Sequence, residues 1–282
     1  MQLEERLNQR KKAVEDFLDR LLSGEASSPL IQSMRHSVLS GGKRYRPLLL
    51  LSTGEYFQVK QGDSLPFACG LELIHNYSLI HDDLPSMDND DYRRGQPACH
   101  KAYGEDIALL TGDSLLTLSF EVMAKAALGK GDKAAKMNII HEISVSAGLQ
   151  GMIGGQLLDI TVSPDKLNED ILYDLMEKKT ASLITAAVRA GALLGKASSQ
   201  NLEALSEYGR NIGLAFQIRD DVLDSEQDRK GNLLLRPNAV LVLGQKKART
   251  RLKEHIEASV RSLDDAGIES EDLRYLAFML SV

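Results

Sequence analysis

Apolar side chains at helical spacing run along most of this 282-residue chain, and they constrain its fold more than any other feature. Near the N-terminus, Leu7, Val14, Leu18 and Leu21 recur at intervals of three, four and seven residues, which places them on one face of a helix. No segment sustains the alternation of a β-strand. The pattern predicts an all-α protein, with further apolar stripes over residues 106–127, 134–151, 168–194 and 202–224.

The bulk composition indicates one globular domain. The chain is 43% apolar, with seven prolines and 5% aromatic residues, which suits a large helical core. It contains no internal repeat, low-complexity tract or linker. Typical helix and loop lengths predict about ten helices, in a single domain over residues 1–282.

Charge and cysteine content argue against several classes of protein. The formal net charge of −6 argues against a surface that binds nucleic acid. Cys69 and Cys99 form no CxxC motif, which argues against a disulfide framework or a zinc site. The polar N-terminal residues lack the apolar core of a signal peptide, and no apolar run approaches about 18 residues. We therefore expect a cytoplasmic protein without a membrane span.

The more C-terminal of two aspartate clusters follows an apolar run at residues 212–216. Asp220 and Asp224 are four residues apart, so a helix presents both carboxylates on one face. Asp221 and Gln217 flank that face. A buried helix that ends in three aspartates is costly without a cation. A solvated acidic helix face is the alternative, and this cluster alone does not decide between the two.

The other cluster follows a largely apolar helical segment at residues 75–81. Asp82 and Asp83 come directly after it, and Asp88 lies beyond a proline that breaks the helix. Repeated carboxylates are oxygen ligands for Mg²⁺, and Mg²⁺ ions held by two such clusters facing each other would bind a diphosphate. A solvated loop is the alternative, and it fits the later acids at residues 90–91 better than the first two.

Local basic segments supply the positive charge that phosphate groups would need. Lys43, Arg44 and Arg46 follow two glycines, whose backbone N–H groups can approach an anion. Arg93 and Arg94 follow the first acidic cluster. An exposed turn and salt bridges within the loop are the respective alternatives.

Polar residues also interrupt two apolar helices. Lys179 and Thr180 lie within the stripe over residues 168–194, and His75 lies on the apolar segment before Asp82. A helix boundary near Lys179 and an ordinary core histidine are the alternatives.

Together these segments resemble the trans-type prenyl diphosphate synthases, and most closely the bacterial farnesyl diphosphate synthases. The resemblance covers about two-thirds of the chain. Seven motifs in order carry it: residues 41–47 (GGKRYRP), 77–83 (YSLIHDD), 87–97 (MDNDDYRRGQP), 112–113 (GD), 154–159 (GGQLLD), 179–180 (KT) and 217–224 (QIRDDVLD).

The resemblance implies an isoprenoid-synthase helical bundle around a central cavity, usually a homodimer, that joins isopentenyl diphosphate to an allylic diphosphate. It implies three Mg²⁺ ions on the allylic diphosphate, held by Asp82, Asp83, Asp88, Asp220, Asp221 and Asp224. It implies contacts to that diphosphate from Arg93, Lys179, Thr180 and Gln217. It assigns the diphosphate of isopentenyl diphosphate to Gly42, Lys43, Arg46, His75 and Arg94, and places Phe216 near the second substrate.

One segment departs from the family pattern. After the second acidic cluster the family usually has a glycine-lysine pair and then a lysine before Thr-Tyr-Pro. Here Lys230 and Gly231 lead quickly into leucines and Pro237. The third lysine of the allylic site has no match between residues 229 and 237, and we do not assign that role to Lys230. A missing segment and a divergent enzyme are the two explanations.

Tyr77 predicts the length of the product. It lies five residues before Asp82, about 7–8 Å further along the same helix, in the direction of a growing chain. In the family that this chain resembles, a bulky aromatic residue there and a two-residue insertion, here Pro85-Ser86, go with fifteen-carbon farnesyl products. Ser78 is too small to stop the chain. A longer geranylgeranyl product and an ordinary core role for Tyr77 are the alternatives.

Three other classes of protein are alternatives to this prediction. A metal-dependent phosphohydrolase would use His81 and Asp82 as ligands, but the remaining histidines lie in no comparable acidic context. A non-catalytic partner subunit should have lost aspartates that this chain retains. A terpene cyclase would lack the basic site at Lys43 and Arg46.

Overall fold

Helices make up almost all of the regular structure in the computed structural model, which describes residues 2–24, 27–163, 166–227 and 237–282. Twelve α-helices of eight or more residues, two of five residues and one π-helical turn occur in these ranges. The only strands described there form one hairpin of two residues each. The predicted all-α class is confirmed.

The elements follow one another in a simple order. The helices are α1 (Leu3–Leu21), α2 (Pro29–Leu39), α3 (Tyr45–Tyr56), α4 (Gln61–Asp82), α5 (Cys99–Tyr103), α6 (Glu105–Leu128), α7 (Lys133–Ala147), α8 (Met152–Thr161), α9 (Glu169–Met176), α10 (Ser182–Leu194), α11 (Ser199–Gln227), α12 (Ala239–Leu243), α13 (Gln245–Asp265) and α14 (Glu271–Phe278). The strands are β1 (Tyr92–Arg93) and β2 (Gln96–Pro97), and the π turn is Glu177–Ala181.

The first of two compact units comprises Met1–Leu51 and Lys60–Ile140. Its centre is the packing of α4 on α6. Leu71 and Ile74 of α4 and Leu115 of α6 are fully buried. At Gly70 a Cβ would lie 2.7 Å from Cγ of Met123, so the two helices approach more closely there than a side chain allows. This packing fixes the helix that ends in the first acidic cluster.

Helix α6 is the one helix in the described ranges that is long and apolar enough to cross a membrane. One of its faces is buried, and a core helix of a soluble protein has the same composition. Asp113 and Glu121 interrupt its apolar run, so the sequence shows an apolar stripe there rather than a continuous apolar segment. The expected absence of a membrane span stays a prediction.

The second unit comprises Ser52–Val59 and His141–Val282. Helix α11 lies between α10 and α13, and Leu205, Tyr208 and Ile212 on it are fully buried. The hydroxyl of Tyr208 donates to the carbonyl oxygen of Leu273 at 2.7 Å. At Gly213 a Cβ would lie 2.4 Å from Cα of Ala181. This close approach holds α11, and the second acidic cluster on it, against the π turn.

Candidate active site

The first acidic cluster lies where α4 ends. Asp82 is the last residue of the helix, and its carbonyl oxygen accepts from the backbone N–H of Asp88 at 2.8 Å. The carboxylate of Asp83 is buried and accepts hydrogen bonds from Nε (3.0 Å) and Nη2 of Arg93. Burial raises the pKa of Asp83, the contact with Arg93 lowers it, and the nearby charges of Asp90 and Asp88 raise it. The net shift is upward, so the contact with Arg93 offsets only part of the cost of burying this carboxylate.

A tight hairpin places the two arginines after this cluster. Arg94 (φ 53°) and Gly95 (φ 78°) between β1 and β2 both have positive φ, as a type I′ turn requires. Arg93 pairs with Asp83 and also with Asp90 at 3.1 Å, so the salt bridge within the loop that we considered as an alternative is present. Nη1 of Arg94 donates to the carbonyl oxygen of Gly41 at 2.7 Å.

The basic segment before α3 is built around backbone conformations that favour glycine. Gly41 (φ 90°) and Gly42 (φ 125°) have positive φ, and a Cβ on Gly42 would lie 2.9 Å from Cζ of Arg94. Lys43 is exposed. Arg46 is buried, so the exposed-turn alternative does not describe it. The segment therefore holds a guanidinium from the hairpin against its own backbone.

His75 lies in the field of four arginines. It is half-buried on α4, and its pKa is well below the ordinary value, first because of burial and then because of the charges of Arg46, Arg94, Arg44 and Arg93. A neutral imidazole among guanidinium groups accepts or donates a hydrogen bond without adding to the repulsion. This part of the first unit is electropositive, as an anion site must be.

The π turn presents two polar side chains in the second unit. Nζ of Lys179 contacts Oδ2 of Asp159 at 2.5 Å, and Oγ1 of Thr180 donates to Oε1 of Gln217 at 2.6 Å. At Gly155 a Cβ would lie 2.2 Å from the backbone nitrogen of Lys179, so α8 touches the turn. The interruption seen in the sequence is a π-helical turn, and such turns occur frequently at functional sites.

The second acidic cluster lies on α11, as its spacing predicted. Asp221 is buried and accepts from Nε2 of Gln217 at 2.9 Å and from the backbone N–H of Ala239 at 2.7 Å. Burial raises the pKa of Asp221 to about 6, against the lowering effect of these hydrogen bonds and with a contribution from Asp220 and Asp224. Asp220 and Phe216 are half-buried and Asp224 is exposed.

The donor atoms of both clusters suit a hard divalent cation. The clusters offer carboxylate oxygens, which Mg²⁺ prefers, and a cation would offset the cost of burying Asp83 and Asp221, whose pKa values burial raises. Within the described ranges, no three His, Cys, Asp or Glu side chains converge closely enough to hold an ion. The two buried carboxylates, Asp83 and Asp221, instead accept hydrogen bonds from other groups of the protein. Lys230 and the other residues of 229–236, where the family lysine would fall, lie outside the described residues.

Tyr77 lies on α4, the helix that ends at Asp82. It is buried, and its hydroxyl has no hydrogen-bond partner among the described residues. Burial, followed by the charge of Asp82, raises the pKa of Tyr77 to about 12. Its ring meets that of His81 edge to face at 5.8 Å. Ser78 is half-buried, and its hydroxyl donates to the carbonyl oxygen of His75 at 2.9 Å.

His81 is engaged with α6 rather than with the acidic cluster. Its Nε2 atom lies 3.1 Å from the carbonyl oxygen of Leu109. A Cβ on Gly112 would lie 2.1 Å from the same Nε2 atom of His81. The Nε2 atom of His81 is therefore taken up by α6, which leaves Nδ1 as the ring nitrogen that could meet another partner.

Comparison with known proteins identifies the family. The family model described as polyprenyl synthetase matches residues 28–232. The chain belongs to the polyprenyl synthetase family. It is 38% identical to the farnesyl diphosphate synthase of Geobacillus stearothermophilus, over 100% of this chain and 98% of that protein. It is also 43% identical to the geranylgeranyl diphosphate synthase of Cyanophora paradoxa, over 77% of this chain and 73% of that protein.

Solved structures place the fold in the same family. A crystal structure of a farnesyl/geranylfarnesyl diphosphate (FPP/GFPP) synthase from Zymomonas mobilis superposes with a TM-score of 0.89 at 32% identity, over 99% of each chain. The predicted family, its isoprenoid-synthase fold and the prenyltransferase class of enzyme are confirmed. The family is metal-dependent in general. The site assignments and the single-domain boundary stay predictions.

Sequence reasoning gave no role to several polar residues that the structure places beside the predicted site. Asp159 was part of a motif, but its contact with Lys179 was not foreseen. Glu72 and Asn76 were not singled out, although both are buried polar residues in the apolar run of α4. Their spacing of four residues along that run was the available signal.

The close approach of α8 to the π turn predicts the effect of a Gly155→Ala substitution. The added Cβ would meet backbone atoms of Lys179, and the displacement should lower the free energy of unfolding by about 1–3 kcal/mol. Urea denaturation measures this change. Gly62→Ala is the matched control, because that glycine lies in α4 with no atom within 4 Å of its Cβ position. The explanation fails if the two substitutions have the same effect on stability.

Proposed function

We propose that this protein is a Mg²⁺-dependent prenyltransferase that joins isopentenyl diphosphate to dimethylallyl or geranyl diphosphate, with farnesyl diphosphate as the main product. The observation that carries the proposal is the group of arginines around a neutral His75, in the same unit as the acidic cluster at Asp82. A terpene cyclase has no second diphosphate to bind and no need of such a group. The farnesyl diphosphate synthases among the relatives support the product.

Six aspartates would hold the metal. These are Asp82, Asp83 and Asp88 of the first cluster and Asp220, Asp221 and Asp224 of the second, and we propose three Mg²⁺ ions with the allylic diphosphate bound. When bound, Mg²⁺ supplies Lewis-acid neutralisation of a diphosphate leaving group.

The basic and polar side chains bind and orient the two substrates. Arg93 and Lys179 would donate to the allylic diphosphate, where negative charge develops as the C–O bond breaks. Thr180 and Gln217, already hydrogen-bonded to each other, would set the geometry beside them. The residues for the diphosphate of isopentenyl diphosphate would be Gly42, Lys43, Arg46, His75 and Arg94.

The reaction needs no side-chain nucleophile. The allylic C–O bond breaks, and its electron pair leaves with the diphosphate. The double bond of isopentenyl diphosphate attacks the allylic carbon and forms the new C–C bond. A proton then passes to the released diphosphate, which restores a double bond and gives a longer allylic diphosphate. Apolar side chains, including Phe216 near the second substrate, would keep water from the allylic carbocation that the broken C–O bond leaves.

Removing one aspartate from either cluster should abolish most of the activity. We expect Asp82→Ala and Asp220→Ala each to reduce kcat by orders of magnitude while the helical circular dichroism is unchanged. Asp16→Ala is the control, because that exposed residue pairs with Lys12 on α1, and the substitution should leave kcat unchanged. Activity is measured with labelled isopentenyl diphosphate at several Mg²⁺ concentrations. Near-normal turnover in either cluster variant would contradict the metal assignment.

The two groups of cationic side chains should affect different substrates. Lys43→Ala and Arg46→Ala should chiefly raise KM for isopentenyl diphosphate, and Arg93→Ala and Lys179→Ala should act on the allylic substrate. Each lost charge-assisted contact should cost about 1.5–3 kcal/mol. Steady-state kinetics with each substrate varied in turn distinguishes the groups, and the reverse pattern would show that the two sites are exchanged.

The ring of Tyr77 should set the product length. Tyr77→Ala should shift the products toward twenty carbons or more and preserve the first condensations, because the ring that blocks the growing chain is removed. Tyr77→Phe is the matched control, since it keeps the ring and removes a hydroxyl without a partner among the described residues. Chromatography of the dephosphorylated products measures both. Unchanged products in Tyr77→Ala would mean that the floor of the cavity lies elsewhere.

A geranylgeranyl product is the second candidate, and the similarity to the geranylgeranyl diphosphate synthase of Cyanophora paradoxa favours it. The same chromatography distinguishes it, because wild-type protein would then give twenty-carbon products. The cytoplasmic location expected from the sequence stays a prediction.

We also propose a homodimer, as the family resemblance implies. Ile153, Leu157 and Ile160 on α8 are about half exposed, and their spacing places them on one helix face. Leu157→Glu combined with Ile160→Lys should shift the mass in solution toward the monomer, and light scattering after gel filtration measures that mass. Phe278→Lys is the control, because this residue is equally exposed on α14. A monomeric wild-type protein would contradict the proposal.

A further inference from the structure

A series of hydrogen bonds leads from the core of the first unit to the guanidinium of Arg94. Oε1 of Glu72 accepts from Nη1 of Arg44 at 2.7 Å and from Nδ2 of Asn76 at 3.2 Å. Oδ1 of Asn76 in turn accepts from Nη1 of Arg94 at 3.3 Å. Arg44, Glu72 and Asn76 are almost completely buried, with at most 2% of each exposed.

Glu72 determines which way the amide of Asn76 faces. Nδ2 of Asn76 also lies 2.7 Å from the carbonyl oxygen of Glu72, so two acceptors surround it. Oδ1 must then face Arg94, because a guanidinium only donates hydrogen bonds. A flipped amide would place donor against donor and acceptor against acceptor in a buried site, and each unsatisfied group there is costly.

Arg44 is oriented toward Glu72. The backbone of Arg44 is left-handed, with a φ of 52°. The Nη2 atom of its side chain donates to the carbonyl oxygen of Val38 at 2.6 Å. Its side chain is fully buried. The family resemblance assigns Arg44 to neither substrate, and its contact with Glu72 gives it a structural role instead. It compensates the charge of Glu72, and Glu72 orients Asn76.

Arg94 is left with donors for an anion. Its Nη1 contacts Asn76 and the carbonyl oxygen of Gly41, and its plane lies over Gly42. Burial lowers the pKa of Arg94, Glu72 raises it, and the neighbouring charges of Arg44 and Arg93 lower it further. The net shift is downward, so a bound anion would stabilise the cation. A guanidinium has five N–H donors, and binding a phosphate with two of them requires a fixed plane.

We propose that Asn76 is a positioning residue for the second substrate. It fixes the plane of the Arg94 guanidinium, so that the remaining N–H groups of that side chain bind the diphosphate of isopentenyl diphosphate. Asn76 acts through Arg94 and does not touch the substrate. The inference rests on the proposed function, which gives Arg94 that ligand.

Asn76→Leu tests this role, because leucine has a similar volume and makes no hydrogen bond. KM for isopentenyl diphosphate should rise about tenfold, as expected for the loss of one contact that orients a charged group. KM for geranyl diphosphate and kcat should stay within about twofold. Calorimetry with isopentenyl diphosphate alone, without an allylic substrate, should show the same loss of affinity. Asn76→Ala is measured in the same way if the leucine variant does not fold.

Asn211→Leu is the matched control in the second unit. Asn211 is also buried on a helix, and its Nδ2 donates to the carbonyl oxygen and to Oε1 of Glu207, four residues earlier. Its Oδ1 contacts Nδ1 of His255 at 2.8 Å rather than an arginine. Asn211→Leu should lower Tm by about as much as Asn76→Leu does, and it should leave KM for isopentenyl diphosphate unchanged.

A double-mutant cycle decides whether Asn76 acts through Arg94. In an Arg94→Ala background, Asn76→Leu should change the affinity for isopentenyl diphosphate by less than about twofold. The full tenfold effect in that background, or equal increases in KM for both substrates, would overturn the proposal. Unchanged binding in the single variant would also overturn it. If wild-type protein forms no product from isopentenyl and geranyl diphosphates, it is the proposed function that fails.

Discussion

Charge buried among apolar helices is the constraint on which the rest of this structure depends. An unpaired buried charge is costly, so each buried carboxylate and guanidinium near the candidate site has partners of its own. Asp83 accepts from Arg93, and Asp221 accepts from Gln217 and a backbone N–H. Burial nevertheless keeps the pKa values of both aspartates raised. The cost of burying each carboxylate is therefore only partly offset by its protein partners.

Glycine makes this arrangement of charges geometrically possible. Gly42 lies where the guanidinium of Arg94 passes, and Gly155 and Gly213 lie where backbone meets backbone at the π turn. In each case a Cβ would occupy space that another group already fills. The glycines of these motifs therefore allow helices and loops to approach closely, and the charged residues of the same motifs depend on that approach.

The sequence predicted the helices and the two acidic clusters well, because both depend on local spacing. Asp220 and Asp224 share a face of α11 wherever that helix packs. It did not predict the contact of Arg44 with Glu72, which joins residues 28 positions apart through a left-handed backbone conformation. Nor did it reveal the contacts of Asn76 with Arg94 and of Asp159 with Lys179, because these join residues 18 and 20 positions apart.

The π turn also affects how this segment can change in evolution. A π turn contains one residue more than the α-helical turn that would replace it, and each residue of a helix turns the chain by about 100°. Loss of one residue from Glu177–Ala181 would regularise the helix and rotate the whole of α9 relative to α10. Lys179 and Thr180 could then no longer reach Asp159 and Gln217 together. Substitutions in this turn are local changes, whereas a deletion of one residue alters the register of both helices.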